Sequence, residues 1–279
     1  MRAFEVIKIG SELLKNKKIQ SHILDSELLL SKTINKSREE ILVNLDQIID
    51  KKSFLVFKKY LQRRFNNEPV AYILEEKEFW SKNFTVSKDT LIPRPETELM
   101  VEGILKIYNN KKISILDIGT GSGCIILTLL NMLKASNGVG VDISKKAISI
   151  AKKNALKHKL LHRVKFINRS FEDLIFKKFD LIVSNPPYIK KTDIKYLSED
   201  IKNFEPIMAL DGGNDGLDLI KKVIYKSKNI LKTKGMLALE IGNGQVKQVS
   251  KILFDNNFRI KQFIKDYKNN VRCVFANYK

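Results

Sequence analysis

Asn185-Pro186-Pro187-Tyr188 follows directly on Asp180-Leu181-Ile182-Val183-Ser184, an apolar run of the length and composition of a buried strand. The two prolines fix the backbone and remove N–H donors, which leaves the carbonyls of Asn185 and Pro186 beside the side-chain oxygen of Asn185. Three acceptors grouped in this way suit a planar NH2 group, which has two hydrogens to donate. The nitrogen of an amide or an aromatic amine is a poor nucleophile because its lone pair is delocalised. Fixing both hydrogens orients that nitrogen towards an electrophile, and orientation contributes up to ~7–11 kcal/mol in well-aligned intramolecular cases. Tyr188 is expected to form a flat wall against the substrate. The chemistry requires neither a metal nor a strong base, since the proton can leave after the transferred group arrives.

A second constellation lies upstream. Leu116-Asp117-Ile118-Gly119-Thr120-Gly121-Ser122-Gly123 passes from an apolar run into a helical pattern, and Asp142 closes the next apolar run roughly twenty residues beyond Gly121. Glycines at that turn let backbone approach a ligand, and a carboxylate after the second strand is placed to accept from both hydroxyls of a ribose. The loop lacks the Gly-Lys-Ser/Thr ending of a triphosphate cradle. Dinucleotide ligands remain open on spacing alone. Asp117, just before the loop, sits badly beside a pyrophosphate and well beside a cationic sulfonium or amino group, which turns the expectation towards S-adenosylmethionine. Gly119, Thr120, Gly121, Ser122, Gly123, Asp142 and Asn185 are the candidate cofactor residues.

The elements that must hold these groups follow from periodicity. Residues 1–68 are expected to form a small helical bundle. Ile7, Leu13, Leu14, Ile23, Leu24, Leu28, Leu29 and Leu30 recur at helical spacing, and Ser37-Arg38-Glu39-Glu40 is a capping box opening a helix that carries Ile41, Leu42, Leu45, Ile48 and Ile49. A further helix runs from Ser53 through Phe57 to Arg63-Arg64. Residues 69–92 read as a β-hairpin linker, with Val70-Ala71-Tyr72-Ile73-Leu74 and Phe84-Thr85-Val86 flanking a polar stretch that contains Phe79-Trp80. Pro93 and Pro95 hold the next segment extended until a helix begins at Glu96 or Thr97. Apolar runs at 113–118, 139–143, 164–167, 180–184 and 236–241 alternate with helical patterns, which implies a parallel sheet buried on both faces. Runs at 258–264 and 271–277, with a turn at Lys268-Asn269-Asn270, would add an antiparallel edge.

Composition narrows the classes. With 43% hydrophobic residues the 279-residue chain can bury a core, and two cysteines, Cys124 and Cys273, exclude a disulfide framework. No Cys/His cluster has zinc-ligand spacing. Charge interrupts the N-terminus too early for a secretory signal, and no apolar run approaches a membrane helix, so the expectation is a cytoplasmic protein. The net charge of +20 comes mainly from scattered lysines and argues for a solvated surface and weak polyanion affinity.

Taken together, these motifs resemble class I S-adenosylmethionine-dependent methyltransferases, and more narrowly the bacterial peptide chain release factor glutamine methyltransferases of the HemK/PrmC family. The resemblance spans nearly the whole chain through Glu78-Phe79-Trp80, Leu91-Ile92-Pro93-Arg94-Pro95-Glu96-Thr97-Glu98, the glycine loop, Asn185-Pro186-Pro187-Tyr188-Ile189, Phe204-Glu205-Pro206 and Asp215-Gly216-Leu217-Asp218. It implies an α/β fold: a doubly wound, mostly parallel, seven-stranded Rossmann-like sheet in a methyltransferase domain over 93–279, with residues 1–68 as the domain that docks release factors. It further implies methyl transfer to the side-chain nitrogen of the Gly-Gly-Gln glutamine of class 1 release factors, with S-adenosylhomocysteine as product, by a monomer needing no metal, membrane or nucleic acid. Asn185, Pro186, Pro187 and Tyr188 would hold the glutamine amide, and Phe171, or Ser170 one position before it, would meet the adenine ring. Asn-Pro-Pro-Tyr is shared with adenine-N6 methyltransferases of DNA or RNA, which stand as the alternative alongside glutamine methylation of a ribosomal protein.

Overall fold

The computed structural model describes residues 1–175 and 178–278. Residues 176, 177 and 279, which the expected 93–279 domain includes, lie outside the described residues. The chain divides into two compact units, Met1–Glu76 with Ser198–Phe204, and Lys77–Leu197 with Glu205–Lys279. The division falls inside the stretch expected as linker. No helix among the described residues is long and apolar enough to cross a membrane.

The first unit is helical: α1 (Ala3–Asn16), α2 (His22–Ile34), α3 (Arg38–Val43), α4 (Lys51–Phe65) and α5 (Val70–Leu74). Val6, Leu14, Leu29, Leu30, Ile41, Phe57, Leu61 and Ile73 form its core. Gly10 permits the close approach of these helices, since a Cβ there would lie 2.7 Å from the Phe57 ring and would collide with Ser26 Oγ. Arg64 donates to Asp25 at 2.6 Å inside this core, and Ser21 Oγ donates to the same carboxylate oxygen at 2.9 Å. The Ser37–Glu40 capping box forms as expected.

Two local expectations fail here. The helix opened by Ser37 ends at Val43 instead of reaching Ile49, because the following backbone bonds elsewhere: Ala3 and Phe4 N–H donate to Gln47 O and Leu45 O, and Ile49 N–H donates to Met1 O. Val70–Leu74 is a helix, not the first flank of a hairpin. Pro69 caps its start and Glu75, at φ 61°, ends it in the left-handed region. A five-residue apolar run carries no periodicity that separates helix from strand. The hairpin itself is shorter and lies further along, β1 (Glu76–Phe79) against β2 (Lys82–Thr85).

The second unit is built on β3 (Ser114–Ile118), β4 (Asn137–Asp142), β5 (Val164–Asn168), β6 (Phe179–Ser184), β7 (Leu231–Glu240), β8 (Phe258–Lys265) and β9 (Val271–Tyr278). These form one sheet in the order β5-β4-β3-β6-β7-β9-β8. Strands β3 to β7 pair in parallel, and β9 inserts antiparallel between β7 and β8. The seven-stranded, doubly wound α/β arrangement expected from the apolar runs is therefore present. Alternate strand residues serve two cores. Ile115, Leu181, Val183, Met236 and Phe275 pack with α6 (Pro95–Tyr108), α7 (Cys124–Met132) and α8 (Lys145–Lys157) residues such as Met100, Ile104, Leu127 and Ile148. Leu116, Ile182, Leu237, Leu239 and Val274 pack with Ile220, Val223, Ile224, Val249 and Leu253 of α10 (Asp218–Ile230) and α11 (Val246–Asp255). The remaining helix, α9 (Glu199–Phe204), groups with the first unit.

β7 begins five residues before the apolar run that announces it. Phe179 pairs with Leu231 and Leu181 with Met236, so the polar stretch between Leu231 and Met236 is accommodated as an irregularity. Because β3 has β4 on one side and β6 on the other, the winding reverses at β3, and a crevice is expected at its carboxyl end.

Candidate active site

The glycine loop turns the chain from β3 into α7. Gly119 and Thr120 N–H donate to Val141 O at 2.9 and 3.0 Å, which fixes the loop to the end of β4. Gly121 takes φ 55°, and its N–H donates to Asp142 Oδ2 at 2.9 Å. Asp142 Oδ1 accepts from Ser144 N–H at 2.9 Å. Each Asp142 oxygen thus holds one amide and keeps a lone pair for a ligand hydroxyl. Burial raises the Asp142 carboxyl above its usual range, opposed by these amide bonds. A Cβ on Gly119 or Gly121 would meet nothing within 4 Å, so open space lies directly against the loop.

Asp117 occupies a different position from the one its sequence neighbours suggest. It is fully buried and does not line the cavity; its Oδ2 accepts from Thr120 Oγ1 at 2.7 Å while Oδ1 has no partner. Burial pushes this carboxyl up to about 7, with the nearby Asp142 adding to the effect and the Thr120 bond opposing it. The group helps shape the loop from behind.

At the exit of β6, Ser184 Oγ donates to Ile118 O at 2.8 Å, joining the two strand ends that carry the candidate motifs. Asn185 Nδ2 donates to Thr97 Oγ1 at 3.3 Å, and Thr97 Oγ1 donates to Glu240 Oε2 at 2.7 Å. Thr97 lies in the first turn of α6 and Glu240 at the end of β7, and both are 2% exposed. Burial pushes the Glu240 carboxyl up to about 7, against the lowering effect of the Thr97 and Tyr188 hydroxyls and Arg272. Neither Thr97 nor Glu240 stands out as a site residue in the sequence. An acid ending an apolar run, Leu237-Ala238-Leu239-Glu240, was the available signal, since a carboxylate is seldom fully buried without a partner.

One cavity of about 480 Å³ brings these groups together. Gly119, Thr120, Gly121, Ser122, Asp142, Asn185, Pro186 and Pro187 line it, as do Thr97 and both residues considered for the adenine ring, Ser170 and Phe171. Phe171 opens a short 3-10 turn and is 7% exposed, so it presents a packed apolar face. Gly123 and Tyr188 do not line the cavity. Gly123 stands behind the loop as the N-cap of α7 at φ 79°. The Tyr188 side chain turns to the β7 side, its hydroxyl 3.4 Å from Glu240 Oε1 and its ring packed with the α10–α11 core, and Gln245 Nε2 anchors the backbone there by donating to Tyr188 O at 3.1 Å and to Gly216 O at 3.0 Å. The expected flat wall at Tyr188 is thus absent from the cavity lining.

Two further ties were not visible in the sequence. Glu205 accepts from Ile92 N–H at 3.2 Å and pairs with Arg94, which pins the Pro93-Arg94-Pro95 segment where it borders the cavity. Asn154 accepts from Thr85 N–H at 2.7 Å and donates to Thr85 O and Ser122 O at 2.9 and 2.8 Å, connecting the hairpin to the glycine loop. Both join residues far apart in the chain. Chemically, the cavity offers the polar backbone of the glycine loop, the Asp142 carboxylate and the Asn-Pro-Pro exit. Among the described residues no cluster of three or more His, Cys, Asp or Glu is arranged to hold a metal.

The chain matches the family described as methyltransferase domain over residues 109–275, and that described as PrmC N-terminal domain over residues 5–74. It is 41% identical over 255 residues to the release factor glutamine methyltransferase of Buchnera aphidicola subsp. Schizaphis graminum, covering 91% of this chain and 92% of that protein. Similarity to the bifunctional methyltransferase of Rickettsia conorii, 34% identical over 296 residues, covers 97% of this chain and 56% of that protein. The chain therefore spans about half the length of the bifunctional relatives it matches. Among solved structures, the ribosomal protein L11 methylase of Lactobacillus delbrueckii subsp. bulgaricus shares the fold, with TM-score 0.51 and 20% identity over 68% of this chain and 81% of that one.

Proposed function

The chain belongs to the release factor glutamine methyltransferase family, and on that premise we propose that it methylates the side-chain amide nitrogen of the Gly-Gly-Gln glutamine in class 1 release factors. The observation that carries this reading is the shared cavity: the Asn185-Pro186-Pro187 exit and the Gly119–Asp142 cradle open onto the same space. The cradle fits S-adenosylmethionine, since its open glycine turn admits a ligand and Asp142 has acceptors to spare for ribose hydroxyls. When bound there, that cofactor supplies a methyl group on an electrophilic sulfonium.

The residues of the chain then do three things. Asp142 and the Gly119–Gly121 backbone bind and orient the donor, with Phe171 or Ser170 against its adenine. Asn185 Oδ1, with the Asn185 and Pro186 carbonyls, accepts from the two amide hydrogens of the substrate and turns its nitrogen into line. Pro186, Pro187 and the Arg94–Glu205 clamp keep this rim rigid and limit water. Methyl transfer releases the cofactor sulfur as a neutral thioether and leaves the nitrogen with a positive charge and both of its own hydrogens, one of which, made acidic by that charge, then passes to water without a dedicated base. The helical unit serves substrate docking in this reading; Phe4, Ile9, Leu13, Ile23 and Leu24 are exposed apolar residues on it. The protein acts as a cytoplasmic monomer.

The net charge of +20 and the shared Asn-Pro-Pro-Tyr motif give adenine-N6 methylation its support. Labelled S-adenosylmethionine offered together with unmodified release factor and a mixed oligonucleotide separates the two. Label on the release factor is expected, and label on the oligonucleotide would replace the glutamine reading.

A further inference from the structure

We propose that Thr97 and Glu240 are positioning residues that fix which end of the Asn185 amide faces the cavity, holding its NH2 inward and presenting its oxygen to the reacting nitrogen. This rests on the amide-nitrogen reading above. The inference follows from counting protons. A threonine hydroxyl has one hydrogen, and an ionised carboxylate has none. Thr97 Oγ1 gives its hydrogen to Glu240 Oε2 at 2.7 Å, so towards Asn185 it has only lone pairs to offer. The part of Asn185 that meets it at 3.3 Å must therefore be the donor, Nδ2. Oδ1 lies on the other side of the planar amide.

The opposite arrangement would be costly for the reaction. An inverted Asn185 would point NH2 at a substrate NH2, donor against donor, and leave Thr97 with an oxygen facing an oxygen. Which end of an asparagine amide faces which way is set by the hydrogen-bond partners around it. Glu240 is well placed to impose it. Ser184 and Leu239 are paired across β6 and β7, so the next residue on each strand, Asn185 and Glu240, emerges side by side at the carboxyl edge. Thr97 is brought between them by Pro95 at the start of α6 and by the adjoining Arg94–Glu205 pair. Three residues separated by 88 and 143 positions thus form one relay, buried at Thr97 and Glu240 and half-buried at Asn185 where it meets the cavity.

The test uses Thr97→Val, which keeps the shape and removes the hydroxyl, and Thr97→Ser, which restores it. Measurements are made at about pH 8, above the raised Glu240 value of about 7, so that the carboxylate is charged. Turnover on unmodified release factor is measured with the KM for S-adenosylmethionine, and the side-chain NH2 signals of Asn185 are followed by 15N NMR in the free protein. Thr97→Val is expected to lower kcat about tenfold to a hundredfold with KM for the cofactor within about twofold, and to move the Asn185 NH2 signals. Thr97→Ser is expected to recover both. Unchanged kcat in Thr97→Val, loss in Thr97→Ser equal to that in Thr97→Val, or Asn185 signals identical in all three proteins would overturn the relay. Should the wild-type protein leave release factors unmethylated, the substrate reading fails by itself, and the NMR signals alone decide the relay.

Discussion

In the proposed reaction Asn185 is the residue on which the chemistry turns, because it is the only side chain of the Asn185–Tyr188 motif that lines the cavity and carries a hydrogen-bonding group. On that proposal, removing the group would take away an acceptor for the substrate nitrogen while leaving Asp142 and the glycine loop in place. Asn185→Ala is therefore expected to lower kcat by about a hundredfold or more, with cofactor affinity within a few-fold of wild type, as read by single-turnover kinetics and calorimetry. A variant with wild-type kcat would remove Asn185 from the reaction. At this scale the sequence exposed the residues whose chemistry is local: the glycine turn, Asp142 and the Asn-Pro-Pro run each announce themselves within a few positions. Thr97, Glu240, Asn154 and the pairing of Arg94 with Glu205 stayed hidden, because each acquires its role from a partner tens of positions away or more. Tyr188 and Asp117 show the converse. Both stand in conspicuous motifs, yet backbone anchoring and burial direct their side chains away from the cavity.

The elements show where a one-dimensional pattern suffices. The central strands were legible because a parallel sheet covered on both faces needs near-continuous apolar runs, and chemistry sits where those runs end. The run at 70–74 was too short to distinguish a helical turn from a strand, and the segment after Val43 was lost to helix by hydrogen bonds to the first residues of the chain. The charged pair inside the helical unit was likewise invisible, since nothing in α2 or α4 alone predicts that Asp25 and Arg64 meet. Asp25→Ala would leave the Arg64 guanidinium buried without its counter-charge, which costs about 3–5 kcal/mol. Amide hydrogen exchange in α2 and α4 should accelerate accordingly while the strands of the second unit keep their protection. Equal loss of protection in both units, or none in either, would contradict this local role.

For the whole molecule, two buried carboxyls set a pH dependence of stability. Asp117 and Glu240 are each pushed up to about 7 by burial, from ordinary values of 3.8 and 4.5. Between those limits the folded chain retains protons that the unfolded chain has released. Their stabilising contribution is thus complete at low pH and is lost as pH rises through about 7. The melting midpoint of the cofactor-free protein is expected to fall between about pH 5.5 and 8, and Asp117→Asn should make that slope shallower. An unaltered slope in the variant would show that Asp117 does not titrate there. The excess of positive charge acts at this same scale, as a general, salt-sensitive attraction for polyanions. The choice of acceptor is the centre of the functional reading, and mass spectrometry locates it most directly. Unmodified release factor is incubated with the protein and S-adenosylmethionine, digested and mapped, beside a Gly-Gly-Gln→Gly-Gly-Ala variant. One methyl group on the glutamine side chain of the motif, absent from the variant, is the expected result; a methyl group elsewhere, or equal methylation of both proteins, would contradict it.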